Sequence, residues 1–216
     1  MRNVRKMRAS DLSMSRSYKK KHKCKTNNAK NRPVAPGRGQ NRQGVTRLTI
    51  RARPGNPTQG LLVAGAIVFP CALGRGGISA NKREGDGATP LGPMRILSGY
   101  FRGDHVAARR TRLAMTQIQA DLGWCEVPGD RNYNRPVKIP YGASHETMRR
   151  ADRLYDYCLV LDWNVMPRRR GRGSAIFFHL ARPGFTPTQG CVAVTAKVMA
   201  RLLPLLSDRT VLQVVR

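Results

Sequence analysis

Apolar residues in this chain come in short runs, each cut by a glycine- or proline-bearing turn. Only near the C-terminus does a helical period replace them. Leu48, Ile50 and Ala52 alternate with Arg47, Thr49, Arg51 and Arg53, the two-residue period of a half-buried strand. Pro54-Gly55-Asn56-Pro57 predicts a turn. The apolar runs Leu61–Val63 and Ala66–Leu73 follow, split at Gly65. Met94–Phe101, Tyr157–Trp163, Ala175–Leu180 and Thr210–Val215 read as further strands. Two segments suit short helices. Ser144 can cap one running to about Leu154, with Glu146 in its first turn. Thr195 can cap another that carries Val198, Met199, Leu202 and Leu203 on one face and is limited by Pro204. About seven strands and two helices define a mainly β domain.

That domain begins near Thr46. Residues 1–45 hold 14 basic residues against the single acid Asp11, and they end in Pro33-Val34-Ala35-Pro36-Gly37. Such a segment lacks the apolar surface to offset its ordering entropy, so a disordered basic tail is expected. The whole chain carries a formal net charge of +28. This favours contact with anionic polymers, whether nucleic acid, lipid or cell-wall polymer, without choosing among them. No run reaches the roughly 18 apolar residues of a membrane span, so no transmembrane segment is expected. No signal peptide is visible either, because no apolar segment of about 7–15 residues follows the positive start. Residues 102–140, dense in Gly, Pro and Asn, read as a loop-rich insertion and a candidate lid.

The cysteines at 24, 71, 125, 158 and 191 form no CxxC pair, and no metal site is expected. Cys191 on residue type alone is a small buried hydrophobe. Its surroundings point elsewhere. Gly190 allows close backbone approach, Thr186-Pro187-Thr188-Gln189 is loop, and a helix begins a few residues on. His179 ends a strand twelve positions earlier, with Phe177 on its face and Phe178 on the other. A thiol nucleophile, an imidazole base and free backbone amides are the parts of covalent acyl transfer. The pair is a suggestive Cys–His dyad. Gly74-Arg75-Gly76-Gly77 fits neither nucleotide-loop spacing.

Several ordered pieces resemble the L,D-transpeptidase (YkuD-type) catalytic domain: Lys82-Arg83-Glu84-Gly85-Asp86-Gly87-Ala88-Thr89-Pro90-Leu91-Gly92, Asn132-Tyr133-Asn134, and His179 followed by Thr188-Gln189-Gly190-Cys191. The likeness covers about residues 46–216. It implies a β-sandwich-like catalytic domain acting on peptidoglycan stem peptides, as donor and acceptor, with no cofactor and no need of nucleic acid. Cys191 would be the nucleophile, His179 the general base and acid, and the Gly190 amide an oxyanion donor. Thr188, Tyr133, Asn134 and Arg182 would contact substrate. The implied location is the bacterial periplasm or cell envelope. The chain departs from the commoner pattern at Leu180, Gln189 and Ala193, where many members have glycine, serine or histidine, and arginine.

Two other readings stay open at this level. An L,D-carboxypeptidase would use the same dyad with water as acceptor. A basic nucleic-acid-associated protein would carry Cys191 as a structural residue, and would lose nothing in Cys191→Ala.

Overall fold

The structure is a computed structural model that describes residues 44–216. The expected disordered tail therefore lies outside the described residues, apart from Gly44 and Val45. The residue before Thr46 is already part of the described fold, since the Val45 amide donates to the Leu205 carbonyl at 2.9 Å.

The alternating segment forms β1 (Arg47–Arg53), with Leu48 and Ile50 fully buried between exposed arginines. β2 (Asn56–Ala64) and β3 (Ile67–Ala72) make a hairpin whose turn holds Gly65 at φ +61°, a left-handed conformation that glycine adopts without strain. Two short strands, β4 (Ile78–Ser79) and β5 (Thr89–Pro90), pair in parallel and fasten the loop between them. β6 (Gly92–Phe101) is the long central strand. The insertion then contributes β7 (Met115–Gln117), β8 (Leu122–Cys125) and β9 (Pro136–Lys138), followed by β10 (His145–Thr147). The remaining elements are β11 (Tyr157–Leu161), β12 (Phe177–Leu180), β13 (Val192–Val194), α1 (Ala196–Leu202) and β14 (Val211–Val215).

Nine strands share one sheet in the order β11-β12-β13-β3-β2-β1-β14-β6-β7, and β11 also pairs with β6. That last pairing curls the sheet into a barrel-like form. The mainly β fold expected from the runs is what forms. Its interior is filled by alternate residues of the strands, among them Leu48, Ile50, Leu62, Met94, Ile96 and Leu212. The helix start at Thr195 also forms: its side chain accepts from the Val198 amide at 3.3 Å, and Val198, Met199 and Leu202 are buried.

One expected element does not form. Residues 144–154 are not a helix. His145–Thr147 pairs antiparallel with Gly123–Cys125 as β10, and bends and turns follow it. The Ser144 hydroxyl donates to the Glu126 carboxylate at 2.6 Å instead of capping a helix. Strand pairing and the full burial of Met148 outweigh the local capping signal. The 102–140 insertion is likewise more regular than expected, since β8 and β9 join β10 in a three-stranded sheet.

β11 is buried on both faces, as its continuous apolar run requires. One face of β11, β12 and β13 looks into the barrel through Leu159, Phe178, Val192 and Val194. The other carries Cys158, Val160, Phe177 and Cys191, covered by Trp124, Met148 and Tyr155. Cys191 lies in this second, smaller core.

Candidate active site

β12 and β13 run parallel in a register that opposes Phe178 to Val192 and His179 to Ala193. Alternation along each strand then brings His179, Phe177, Ala193 and Cys191 to one face. His179 and Cys191 both line a cavity of about 320 Å³, a volume suited to a peptide segment. Residues from other segments complete its wall, including Arg75, Glu84, Glu146, Arg150 and Tyr155.

Cys191 is 7% exposed. Its thiol donates to the Ala175 carbonyl at 3.2 Å, and its sulfur accepts the Phe177 amide at 3.3 Å. Burial pushes the thiol up to about 12, a rise opposed only in part by the Phe177 amide. Cys158, opposite His179 across β11 and β12, is fully buried, and the same cause raises it well above its ordinary value. Among the cysteines of the described residues, Cys191 is the one that lines the cavity.

His179 is 5% exposed and is held at two points. Nδ1 lies 2.8 Å from the Leu180 carbonyl, and the Tyr155 ring packs edge-on at 5.3 Å between centroids. A carbonyl only accepts, so in the neutral ring Nδ1 carries the proton and Nε2 keeps its lone pair. Burial pulls the imidazole down to about 4. At neutral pH the resting pair is therefore thiol and neutral imidazole, with no hydrogen bond between them: the thiol proton rests on the Ala175 carbonyl.

The depressed histidine has a consequence for stability. Its ordinary value is 6.5 and its folded value about 4. As pH falls through this window the unfolded chain takes up the proton and the folded chain does not. The contribution is complete above pH 6.5 and is lost progressively down to pH 4, by about 3 kcal/mol. Denaturant titrations of wild type and His179→Gln at several values across this window should give a steeper pH slope for wild type. Equal slopes would show that His179 is not desolvated as described.

Gly190 sits at φ +130°, and a Cβ there would come within 2.9 Å of the Ala88 carbonyl oxygen. Only glycine lets the loop before Cys191 close against the loop before β5. Thr89 ties β5 to the segment after β3, its hydroxyl accepting the Gly74 amide at 2.8 Å. Thr188 lines the cavity, and its hydroxyl donates to the Cys191 carbonyl at 2.7 Å while accepting the Gly190 amide at 3.1 Å.

Arg182 lines the cavity and pairs with Asp152 at 3.2 Å. Tyr133 and Asn134 are not among its lining residues. Tyr133 is 2% exposed and its hydroxyl donates to Glu84. Asn134 is 3% exposed and in the left-handed conformation. Its Oδ1 accepts Trp124 Nε1 and the Ala175 amide, both at 3.0 Å, and its Nδ2 donates to the Trp163 and Asn164 carbonyls. Asn134 thus braces Ala175, the residue whose carbonyl receives the thiol proton. From the 102–140 insertion, Glu126 lines the cavity.

Sequence reasoning missed a charged strap beside the histidine. Arg150 donates to Glu146 at 2.6 Å and to Asp152 at 2.8 Å, and lies 5.2 Å over the Tyr155 ring. The Arg150 guanidinium holds the Asp152 carboxyl well below the usual carboxylate range. The alternation of acids and arginines from Glu146 to Asp156 was the available signal. Among the described residues no group of three or more His, Cys, Asp or Glu could hold a metal ion.

The class is a mainly β domain that brings a buried cysteine and a fixed histidine to one peptide-sized cavity. The family model for the L,D-transpeptidase catalytic domain (YkuD) matches residues 58–215, and the chain belongs to that family. No curated protein and no solved structure matches it. The family acts on peptidoglycan peptides and is typically associated with the cell envelope. No helix among the described residues is long and apolar enough to cross a membrane.

Proposed function

We propose that the protein is a cysteine-dependent L,D-transpeptidase that works through a thioester on Cys191. The observation that carries this reading is the delivery of Cys191 and the Nε2-basic tautomer of His179 to one cavity.

Donor peptide entering the cavity places the carbonyl of its third residue beside Cys191. The thiol proton leaves the Ala175 carbonyl for Nε2 of His179 as sulfur attacks the carbonyl carbon. Desolvation makes both charged forms costly at rest, so proton transfer accompanies attack rather than preceding it. The Gly190 and Cys191 amides receive the oxyanion, which takes the Gly190 amide from the Thr188 hydroxyl. Collapse breaks the C–N bond, and the imidazolium returns its proton to the departing amine of the terminal D-residue. An acceptor amine then attacks the thioester, gives its proton to His179, and sulfur leaves to be reprotonated. Water in place of the amine makes the same site an L,D-carboxypeptidase. Thr188 and Arg182 line the cavity and contact substrate, whereas Tyr133 and Asn134 act through Glu84 and Ala175. The bacterial envelope is the compartment where this substrate occurs, and a basic tail suits its anionic polymers.

The test is turnover of disaccharide-tetrapeptide. Wild type should release the terminal D-residue and form cross-linked or exchanged product, and Cys191→Ala should do neither while unfolding at an unchanged temperature. A Cys191→Ala protein as active as wild type would end the proposal.

A further inference from the structure

The donor peptide ends in a carboxylate, so on the reading above the cavity needs a cation that is free to receive it. Three arginines line the wall: Arg75, Arg150 and Arg182. Arg150 is engaged by Glu146, by Asp152 and by the Tyr155 ring. Arg182 is engaged by Asp152. Among the described residues no acid lies in ion-pair distance of Arg75, and no hydrogen bond is made by its guanidinium. It is a cation at the cavity wall with its donors unused.

Arg75 is also held in place. Its amide donates to the Thr188 carbonyl at 2.8 Å, and the Thr188 amide donates to the Leu73 carbonyl at 2.9 Å. Gly74 and Thr188 form a parallel bridge beside it. These contacts staple Arg75 to the loop that delivers Cys191 three residues later. The side chain lies across Gly87, where a Cβ would stand 2.6 Å from both Cγ and Nε of Arg75. The missing side chain at Gly87 is what lets the arginine stem cross there. A planar guanidinium with a seated stem is suited to bidentate binding of a carboxylate.

We propose that Arg75 is the specificity-determining residue that holds the terminal carboxylate of the donor stem peptide, a role that rests on the transpeptidase reading. Arg150 and Arg182, already committed to Glu146 and Asp152, line the wall that the rest of the peptide passes and leave its terminal carboxylate to Arg75.

The test measures binding apart from chemistry. Disaccharide-tetrapeptide with a free C-terminal acid and the same molecule as its C-terminal carboxamide are titrated by calorimetry into full-length Cys191→Ala protein. The acid should bind about 10- to 100-fold tighter than the amide, the range for a charge-assisted contact. Adding Arg75→Gln should bring the two affinities together, Arg75→Lys should restore part of the difference, and Arg182→Gln should leave it in place. An acid preference that survives Arg75→Gln, or that vanishes with Arg182→Gln instead, would overturn the assignment. Binding of neither peptide would overturn it together with the donor-site reading. An Arg75-dependent preference in a protein whose wild type makes no thioester would support the assignment and remove only the proposed reaction.

Discussion

His179→Ala is expected to slow thioester formation by about 10²- to 10⁴-fold, the range for a positioned general base. The effect is large because the alternative route is poor. With Cys191 pushed up to about 12, the thiolate is a very minor species at neutral pH, and water is a weak acceptor for its proton. The loss should fall on kcat, since His179 binds the proton of the transition state and not the ground-state peptide. The pH profile separates this from a structural effect. For wild type, kcat/KM should rise as pH passes upward through about 4, where His179 gives up its proton, and then stay level through neutrality. For His179→Ala the rate should instead climb with pH across the alkaline range as thiolate accumulates. A variant with the wild-type profile would show that another group accepts the proton.

Asn134→Ala is expected to cost about 3–5 kcal/mol of stability, because it strips partners from buried groups rather than merely deleting one contact. The Trp124 indole and the Ala175 amide lose their acceptor, and the Trp163 and Asn164 carbonyls lose a donor. Its left-handed backbone adds to the cost, since alanine tolerates that conformation less well than asparagine. Asn134→Asp should also destabilise, by setting a carboxylate oxygen against two carbonyls. Activity should fall with stability, because Ala175 carries the carbonyl that orients the resting thiol. Urea denaturation of the three proteins checks the first point. A loss below 1 kcal/mol in Asn134→Ala would mean that water replaces the side chain and that the brace is dispensable.

These effects fall on residues that differ in how far the sequence disclosed them. β1, β3, β6, β11, β12, β14 and α1 follow from local period and turn chemistry, and formed close to their expected bounds, whereas β2 begins at Asn56, inside the expected turn, and runs well beyond Leu61–Val63. The closure of the sheet through β6 and β11 did not follow, since nothing local to Tyr157–Leu161 says that Gly99 will stand opposite Leu159. The segment from Ser144 misled for a related reason. Its capping signal was local, while its actual partners, Glu126 and the strand at Gly123–Cys125, are supplied by the tertiary fold. At the site, His179 and Cys191 were legible from spacing and from family likeness together. Their resting arrangement was not: the thiol bonded to Ala175 and the tautomer fixed by Leu180 depend on the β12–β13 register. Asn134 was legible as part of a motif but not as a buried brace, because its four partners come from distant parts of the chain.

The most direct measurement is intact-protein and peptide mass spectrometry of the full chain after brief incubation with disaccharide-tetrapeptide and acid quenching. A population heavier by the disaccharide-tripeptide acyl group should be found. The added mass should map to the tryptic peptide containing Cys191 and be released by hydroxylamine, as a thioester is. Release of the terminal D-residue with an adduct on another residue, or with none in any variant that traps the intermediate, would contradict the assignment of Cys191 as the attacking atom.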